Sequence, residues 1–274
     1  MDNDIDREEE EIEGKKEMSF WDHLDDLRGT LIRIAIGIVV CMILVFANKE
    51  FVFGIIFAPS TSDFVLYKAL CKLGEWLSFP GFCIEPFEYT LHNITVSGQF
   101  FAHISTSFWL GLVLSFPWTI YQLWLFVSPA LYKNEKKAAT GAFFATSFLF
   151  FIGVLVGYFL VFPVAVHFLG GYQLLPTIGN NLTITSYIDM FVMLVLSMGI
   201  VFQLPILVFI LSKLGIINKA FLKTYRRYAI VIILILAAVI TPTPDPFTMM
   251  LVAGPMLLLY EFSIFICKNK NRNV

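Results

Sequence analysis

Long apolar segments recur along this chain, each closed by a short charged or Pro-rich stretch. They begin near Leu31, Gln99, Ala138, Tyr187, Arg227 and Thr248. A membrane-crossing helix needs about 20 consecutive, mostly apolar residues. The first four segments reach that length easily, and the last two are shorter. With 58% hydrophobic and 15% charged residues among 274, the chain carries far more apolar side chain than a soluble core needs. The expected fold class is an all-α polytopic membrane protein with six transmembrane helices, the last two short. No soluble region is long enough for a catalytic domain, which argues against an enzyme.

The apolar content is not one h-region at the start, so a cleaved signal peptide does not account for it. Residues 1–18 are instead acidic and polar, from Asp2 to Glu17. Such a segment cannot bury enough apolar surface to fold alone and is expected to be a disordered tail. Its negative charge suits neither a nucleic-acid arm nor an anionic-lipid anchor. The membrane domain is expected over residues 19–267, with a short tail at 268–274.

The stretch Ser19-Phe20-Trp21-Asp22-His23-Leu24-Asp25-Asp26-Leu27-Arg28 reads as an amphipathic lead-in. Ser19 followed by Asp22 has the form of a capping box, and Leu24, Leu27 and Leu31 share one helical face. The first membrane helix is expected over about 31–47. Residues 49–98 form a long loop interrupted by Pro59, Pro80, Gly81 and Pro86. Its Trp76, Phe79, Phe82, Phe87 and Tyr89 suit an interfacial cap of short helices. Further helices are expected over about 99–127, interrupted by Pro117, and 138–168, kinked near Pro163. The next covers 187–211, with Pro205 inside it, and then 227–240, stopped by Thr241-Pro242-Thr243-Pro244-Asp245-Pro246. The last covers 247–267 and contains Pro255 and Glu261.

Charge sets the expected orientation. If both termini face the cytoplasm and the chain crosses six times, Lys49, Lys68 and Lys72 are the only outside members of the 19 Lys and Arg, leaving 16 inside. The positive-inside rule favours this arrangement. Helix 227–240 reaches only about 21 Å at 1.5 Å per residue, less than a hydrocarbon core of about 30 Å. The last pair is therefore either a re-entrant hairpin or a site of local bilayer thinning.

Of the four cysteines, Cys41 and Cys267 lie in apolar segments and read as small packing residues. Cys71 and Cys83 lie in the long loop, and their spacing of twelve is compatible with a disulfide in an oxidising compartment or with two reduced thiols. His23, His92, His103 and His167 show no short metal-ligand spacing. No P-loop, dinucleotide fingerprint or metalloprotease motif is present, so no cofactor or metal is expected. Asn93-Ile94-Thr95 and Asn181-Leu182-Thr183 match the glycosylation triplet, a pattern short enough to arise often by chance.

Several segments, taken in order, resemble the TatC family, the core subunit of the twin-arginine (Sec-independent) protein translocase. They include His23-Leu24-Asp25-Asp26-Leu27-Arg28 and Pro117-Trp118-Thr119-Ile120-Tyr121-Gln122-Leu123-Trp124. That second motif runs into Phe126-Val127-Ser128-Pro129-Ala130-Leu131-Tyr132-Lys133-Asn134-Glu135-Lys136-Lys137. Gly157-Tyr158-Phe159 with Phe162-Pro163, Phe202-Gln203-Leu204-Pro205 and the Thr-Pro run at 241–246 complete the set. The resemblance implies a concave, glove-like body in the cytoplasmic membrane of a prokaryote, with both termini cytoplasmic. It also implies binding of twin-arginine signal peptides on folded precursors and assembly with single-span TatA- and TatB-type subunits in a larger, homo-oligomeric complex. Transport would be driven by the proton motive force.

By that resemblance Glu135 and Asp26 are the carboxylates that receive the arginine pair, through charge-assisted, often bidentate bonds. The family usually has glutamate where this chain has Asp26, one methylene shorter, and Asp22 and Asp25 are placed to share the task. Without the resemblance, Glu135 reads as a solvated loop acid and the aspartates as helix-start acids favoured by the dipole. Gln203 stands beside Pro205 in a membrane helix, where a polar group needs a partner; the family often has glutamate there. It reads equally as part of the concave face or as helix–helix glue. Glu261 is expected near the inner interface close to Lys268, and Arg28 beside Asp25 or the acidic patch. Asp245 reads as a structural turn or a partner contact in an outer loop. Membrane lipids are the remaining expected partners. A small-solute secondary transporter is the alternative class, since Pro-broken helices and buried polar groups occur there too, but no internal repeat is visible.

Overall fold

The amphipathic lead-in and the first apolar segment form one continuous helix, α1, Phe20–Ala47. The computed structural model describes residues 20–61, 64–76, 91–128, 133–175, 180–213, 215–241, 243 and 245–267, and within these not the side chains of 20–22, 73–74, 133–140 and 142. Both terminal tails and Cys83 lie outside the described residues, as do the side chains of Asp22 and Glu135.

α1 pairs along its length with α4, Gly98–Val127. The register is antiparallel. The His23 ring stacks on Phe126 at 4.6 Å, Trp118 Nε1 donates to the Arg33 carbonyl at 3.0 Å, and Phe46 stacks on His103 at 4.0 Å. From His23 to Phe46 the helix rises about 34 Å, enough to cross a hydrocarbon core of about 30 Å. The end of α1 therefore lies beside the start of α4, and the chain between them leaves and returns at one end of the bundle.

That intervening chain contains α2, Lys49–Phe57, a 3-10 turn at Ala58–Ser60, and α3, Val65–Trp76. Lys49–Lys72 is apolar and long enough to cross a membrane, at 24 residues. It is nevertheless broken at Pro59 and pinned to the bundle end by tyrosine hydroxyls. Tyr158 donates to the Ile55 carbonyl at 2.8 Å and Tyr187 to the Ile56 carbonyl at 3.0 Å. It caps the bundle. Cys71, in α3, is disulfide-bonded, whereas Cys41 and Cys267 are free thiols.

α5, Lys133–Val156, continues through a π turn, Gly157–Val161, into α6, Phe162–Gly171. The turn accommodates Pro163, which has no N–H to continue an α ladder; the Phe162 N–H reaches back to the Gly157 carbonyl instead. α7, Ile184–Val201, is interrupted at Phe202–Gln203 before α8, Leu204–Lys213. Pro205 supplies the reason, since it cannot donate to the Val201 carbonyl. Pro117 and Pro255, by contrast, sit inside continuous helices, so the expected interruption at Pro117 does not occur. α5 and α7 approach closely at Gly153, where a Cβ would stand 2.8 Å from Phe202 Cβ and 2.9 Å from Gly199 Cα.

The short α9, Lys219–Thr224, leads into α10, Arg226–Ile240, and α11, Pro246–Ile266. Phe247 stacks on Phe168 at 3.9 Å, joining the start of α11 to the end of α6. Cys267 Sγ lies 3.0 Å from Ser212 Oγ, joining the end of α11 to the end of α8. α10 therefore runs between the two ends in 15 residues, about 22 Å. The crossings are α1, α4, α5–α6, α7–α8, α10 and α11, which leaves the described N- and C-terminal residues at the same end. All but α10 are long and apolar enough to span a membrane individually. The core is formed by Val161, Phe162, Tyr187, Leu194, Met198, Val252 and Met256, where α6, α7 and α11 meet.

Candidate functional site

At the end where α1 begins, the His23–Phe126 stack holds the first turns of α1 against the last turn of α4. Asp25, Asp26 and Arg28 are exposed there. α5 departs from this same end, and Glu135 lies in its first turn. The backbone thus brings the Asp25–Asp26 segment and the Glu135 segment to one end of the molecule. Asp22 lies in the first turn of α1 at the same end.

Gln203 lies deeper. Its Nε2 donates to the Thr146 carbonyl of α5 at 3.2 Å and to the Gly199 carbonyl of α7 at 3.4 Å. Thr146 is eleven residues beyond Glu135 in α5, about 16 Å along the axis. The Gln203 side chain therefore joins two crossings at the Pro205 break, while its Oε1 is buried without a partner among the described residues. Gln122 Oε1 and Ser147 Oγ are likewise buried without partners among the described residues. They were not singled out in the sequence, because a polar residue in an apolar helix does not reveal which way it faces.

Glu261, expected near Lys268 (which lies outside the described residues), has a described partner. Its Oε1 pairs with Arg226 Nε at 2.7 Å, from the last crossing to the start of α10. Asp245 stands at the opposite end from Asp26, between α10 and α11. Its Oδ1 accepts from the Thr248 N–H at 2.6 Å and its Oδ2 from the Thr243 hydroxyl at 2.7 Å, which makes it the N-cap of α11. Burial pushes its carboxyl pKa up, but the hydrogen bonds from Thr243 and Thr248 outweigh this and hold it below its ordinary 3.8.

His23 and Trp118 are position-setting residues. Both lie inside motifs, but their ring stack and carbonyl contact join helices far apart in the chain. Among the described residues, no group of three His, Cys, Asp or Glu side chains is placed to hold a metal ion.

These features define a polytopic α-helical membrane protein that presents exposed carboxylates at one bundle end and a buried polar junction partway through the bundle. The family model for "Sec-independent protein translocase protein (TatC)" matches residues 22–255. A relative of that name from Blattabacterium sp. subsp. Periplaneta americana is 37% identical over 92% of this chain and 96% of its own length. Another from Koribacter versatilis is 35% identical over 95% of this chain and 90% of its own. A crystal structure of the twin arginine translocase receptor TatC in DDM superposes with a TM-score of 0.70 at 33% identity, covering 90% of this chain and 99% of that one. The chain belongs to the TatC family, and its fold is the six-helix glove of that family, in which α10 is the short crossing. It is a multi-pass membrane component of the Sec-independent protein translocase.

Proposed function

We propose that this chain receives twin-arginine signal peptides at the α1–α5 end, with Asp26 and Glu135 contacting the paired guanidinium groups. Asp22 and Asp25 reinforce the negative potential there, and Arg28 orients it. The observation that carries the reading is the α1–α4 register. It leaves Asp25 and Asp26 exposed at the end from which α5, bearing Glu135, departs. Arginine is suited to such a site because its planar fork makes paired, charge-assisted bonds to carboxylates. The apolar part of the peptide then lies along the helices toward Gln203. An uncharged amide at that position positions by hydrogen bonding rather than by ionisation.

In this reading both termini are cytoplasmic, in the cytoplasmic membrane of a prokaryote, as the 16 inside Lys and Arg of 19 favour. TatA- and TatB-type single-span subunits and further copies of this chain complete the pathway, because six thin helices do not enclose a passage for a folded protein. The proton motive force drives transport, and no covalent chemistry is required of this chain. Asp245 shapes the outer turn as a helix cap or partner contact. Cys71 pairs with Cys83 in the outer loop.

The test is site-specific photocrosslinking of a twin-arginine precursor to membranes containing this protein, with probes beside Asp26 and Glu135. Crosslinks that vanish when the arginine pair becomes a lysine pair support the reading. Correctly inserted protein that gives only arginine-independent crosslinks, or none, refutes the assignment of these two carboxylates.

A further inference from the structure

The elbow joining α8 to α10 has a composition that the translocase role does not use. Lys213, Lys219, Lys223, Arg226 and Arg227 fall within fifteen residues that contain no Asp or Glu. Among the described residues, Glu261 forms an ion pair with this cluster, through Arg226. The surplus of positive charge is therefore concentrated on Lys213, Lys219, Lys223 and Arg227.

This elbow is held in place. Asn218 caps α9 by accepting the Phe221 N–H at 2.7 Å. Leu222 is buried against Ile264 and Cys267, and the Tyr260 hydroxyl donates to its carbonyl at 2.8 Å. On the outer side, Phe221, Tyr225 and Tyr228 are exposed. Their rings lie in sequence, 4.5 Å from Phe221 to Tyr225 and 6.0 Å from Tyr225 to Tyr228. The Arg227 guanidinium lies 4.9 Å from the Tyr228 ring centre. Aromatic rings and cations at the ends of apolar helices match the chemistry of the headgroup layer. The length of α10 adds an independent reason. A crossing of about 22 Å draws its ends toward a core of about 30 Å, so the elbow sits among headgroups rather than in bulk water.

We propose that the elbow is a binding site for an anionic phospholipid, with Lys219, Lys223 and Arg227 contacting the lipid phosphate and Phe221, Tyr225 and Tyr228 lying beside its glycerol region. A net-negative headgroup is preferred over a zwitterionic one, because a zwitterion brings its own cation to a site already rich in them. Arg226 is committed to Glu261 and contributes less.

The test uses the full chain purified in detergent and exposed to equal amounts of dioleoyl phosphatidylglycerol and dioleoyl phosphatidylcholine, with retained lipids counted by native mass spectrometry. The wild type retains phosphatidylglycerol preferentially, and inorganic phosphate at the same concentration does not displace it. K219Q/K223Q/R227Q lowers that preference by about tenfold, as expected for removing three cations near an anionic surface with partial screening. K49Q, at the other end of the bundle, leaves it unchanged. The charge-conserving K219R/K223R/R227K keeps the preference, which separates loss of charge from loss of fold. Equal retention of the two lipids by the wild type overturns the proposal, as does a triple Gln variant that keeps the wild-type preference.

Discussion

Replacing Gly111 with alanine tests the packing that positions the acidic end. A Cβ at Gly111 would stand 2.8 Å from Met42 N, 2.9 Å from Met42 Cα and 3.1 Å from Met42 Cβ. Two of these atoms are backbone, so no rotamer change relieves the clash, and α1 must shift by about half an ångström or more to restore ordinary van der Waals contact. Overpacking of this kind costs about 1–3 kcal/mol. The matched control is G54A in α2, where an added Cβ meets nothing within 4 Å. There the same substitution gains about 0.5–1 kcal/mol from helix propensity. The two proteins should therefore differ by about 1.5–4 kcal/mol in opposite directions from the wild type, on the order of 3–15 °C in Tm. Thermal unfolding in one detergent, followed by circular dichroism, measures the gap. A G111A protein that melts at or above G54A would refute the close α1–α4 contact and the register inferred from it.

Four further outcomes are expected. E135Q should weaken binding of a twin-arginine signal peptide by at least about tenfold, the scale of one charge-assisted hydrogen bond, measured by fluorescence anisotropy; D26E, which restores the reach of a glutamate, should bind no more weakly than the wild type. D245A should lose the α11 cap, about 1 kcal/mol, read as a drop in Tm at neutral pH. Because the folded pKa of Asp245 is depressed, its stabilisation is fully present above the ordinary value of 3.8 and is lost as pH falls through the lower folded value, so the Tm gap between D245A and wild type should close only in that acidic range. Q203L should change stability by no more than about 1 kcal/mol, because it removes two weak membrane hydrogen bonds together with a buried, unpartnered acceptor. Thiol alkylation of the unfolded chain should label two of the four cysteines before reduction and all four after it, if Cys71 is bridged to Cys83 within the chain; a third label before reduction would place the Cys71 partner on another molecule.

The number of crossings and the shortness of α10 were legible in the sequence because a bilayer imposes a length and an apolarity that side chains record locally. Punctuation was less legible. Pro117, Pro163, Pro205 and Pro255 share one chemistry, yet two lie in continuous helices, one follows a π turn and one follows a break. The residue type alone therefore does not say which outcome occurs, because each proline removes the same backbone N–H. Lys49–Lys72 shows the same limit from the opposite side. Its composition would let it cross, but α1 ends beside the start of α4, so the chain between them returns to the end it left.

The candidate site divides along the same line. The sequence by itself determined the membrane class, the motif order that marks the family, and the acidic residues at 22, 25, 26 and 135, because each depends only on residue type and near neighbours. Only the tertiary structure decided that His23 stacks on Phe126 to set the α1–α4 register, that Glu261 answers Arg226, and that Gln203 joins α5 to α7. These are pairings between residues dozens to more than a hundred positions apart in the chain. They arise where helices close against glycine and aromatic faces, and no local pattern of residues records which helix that will be.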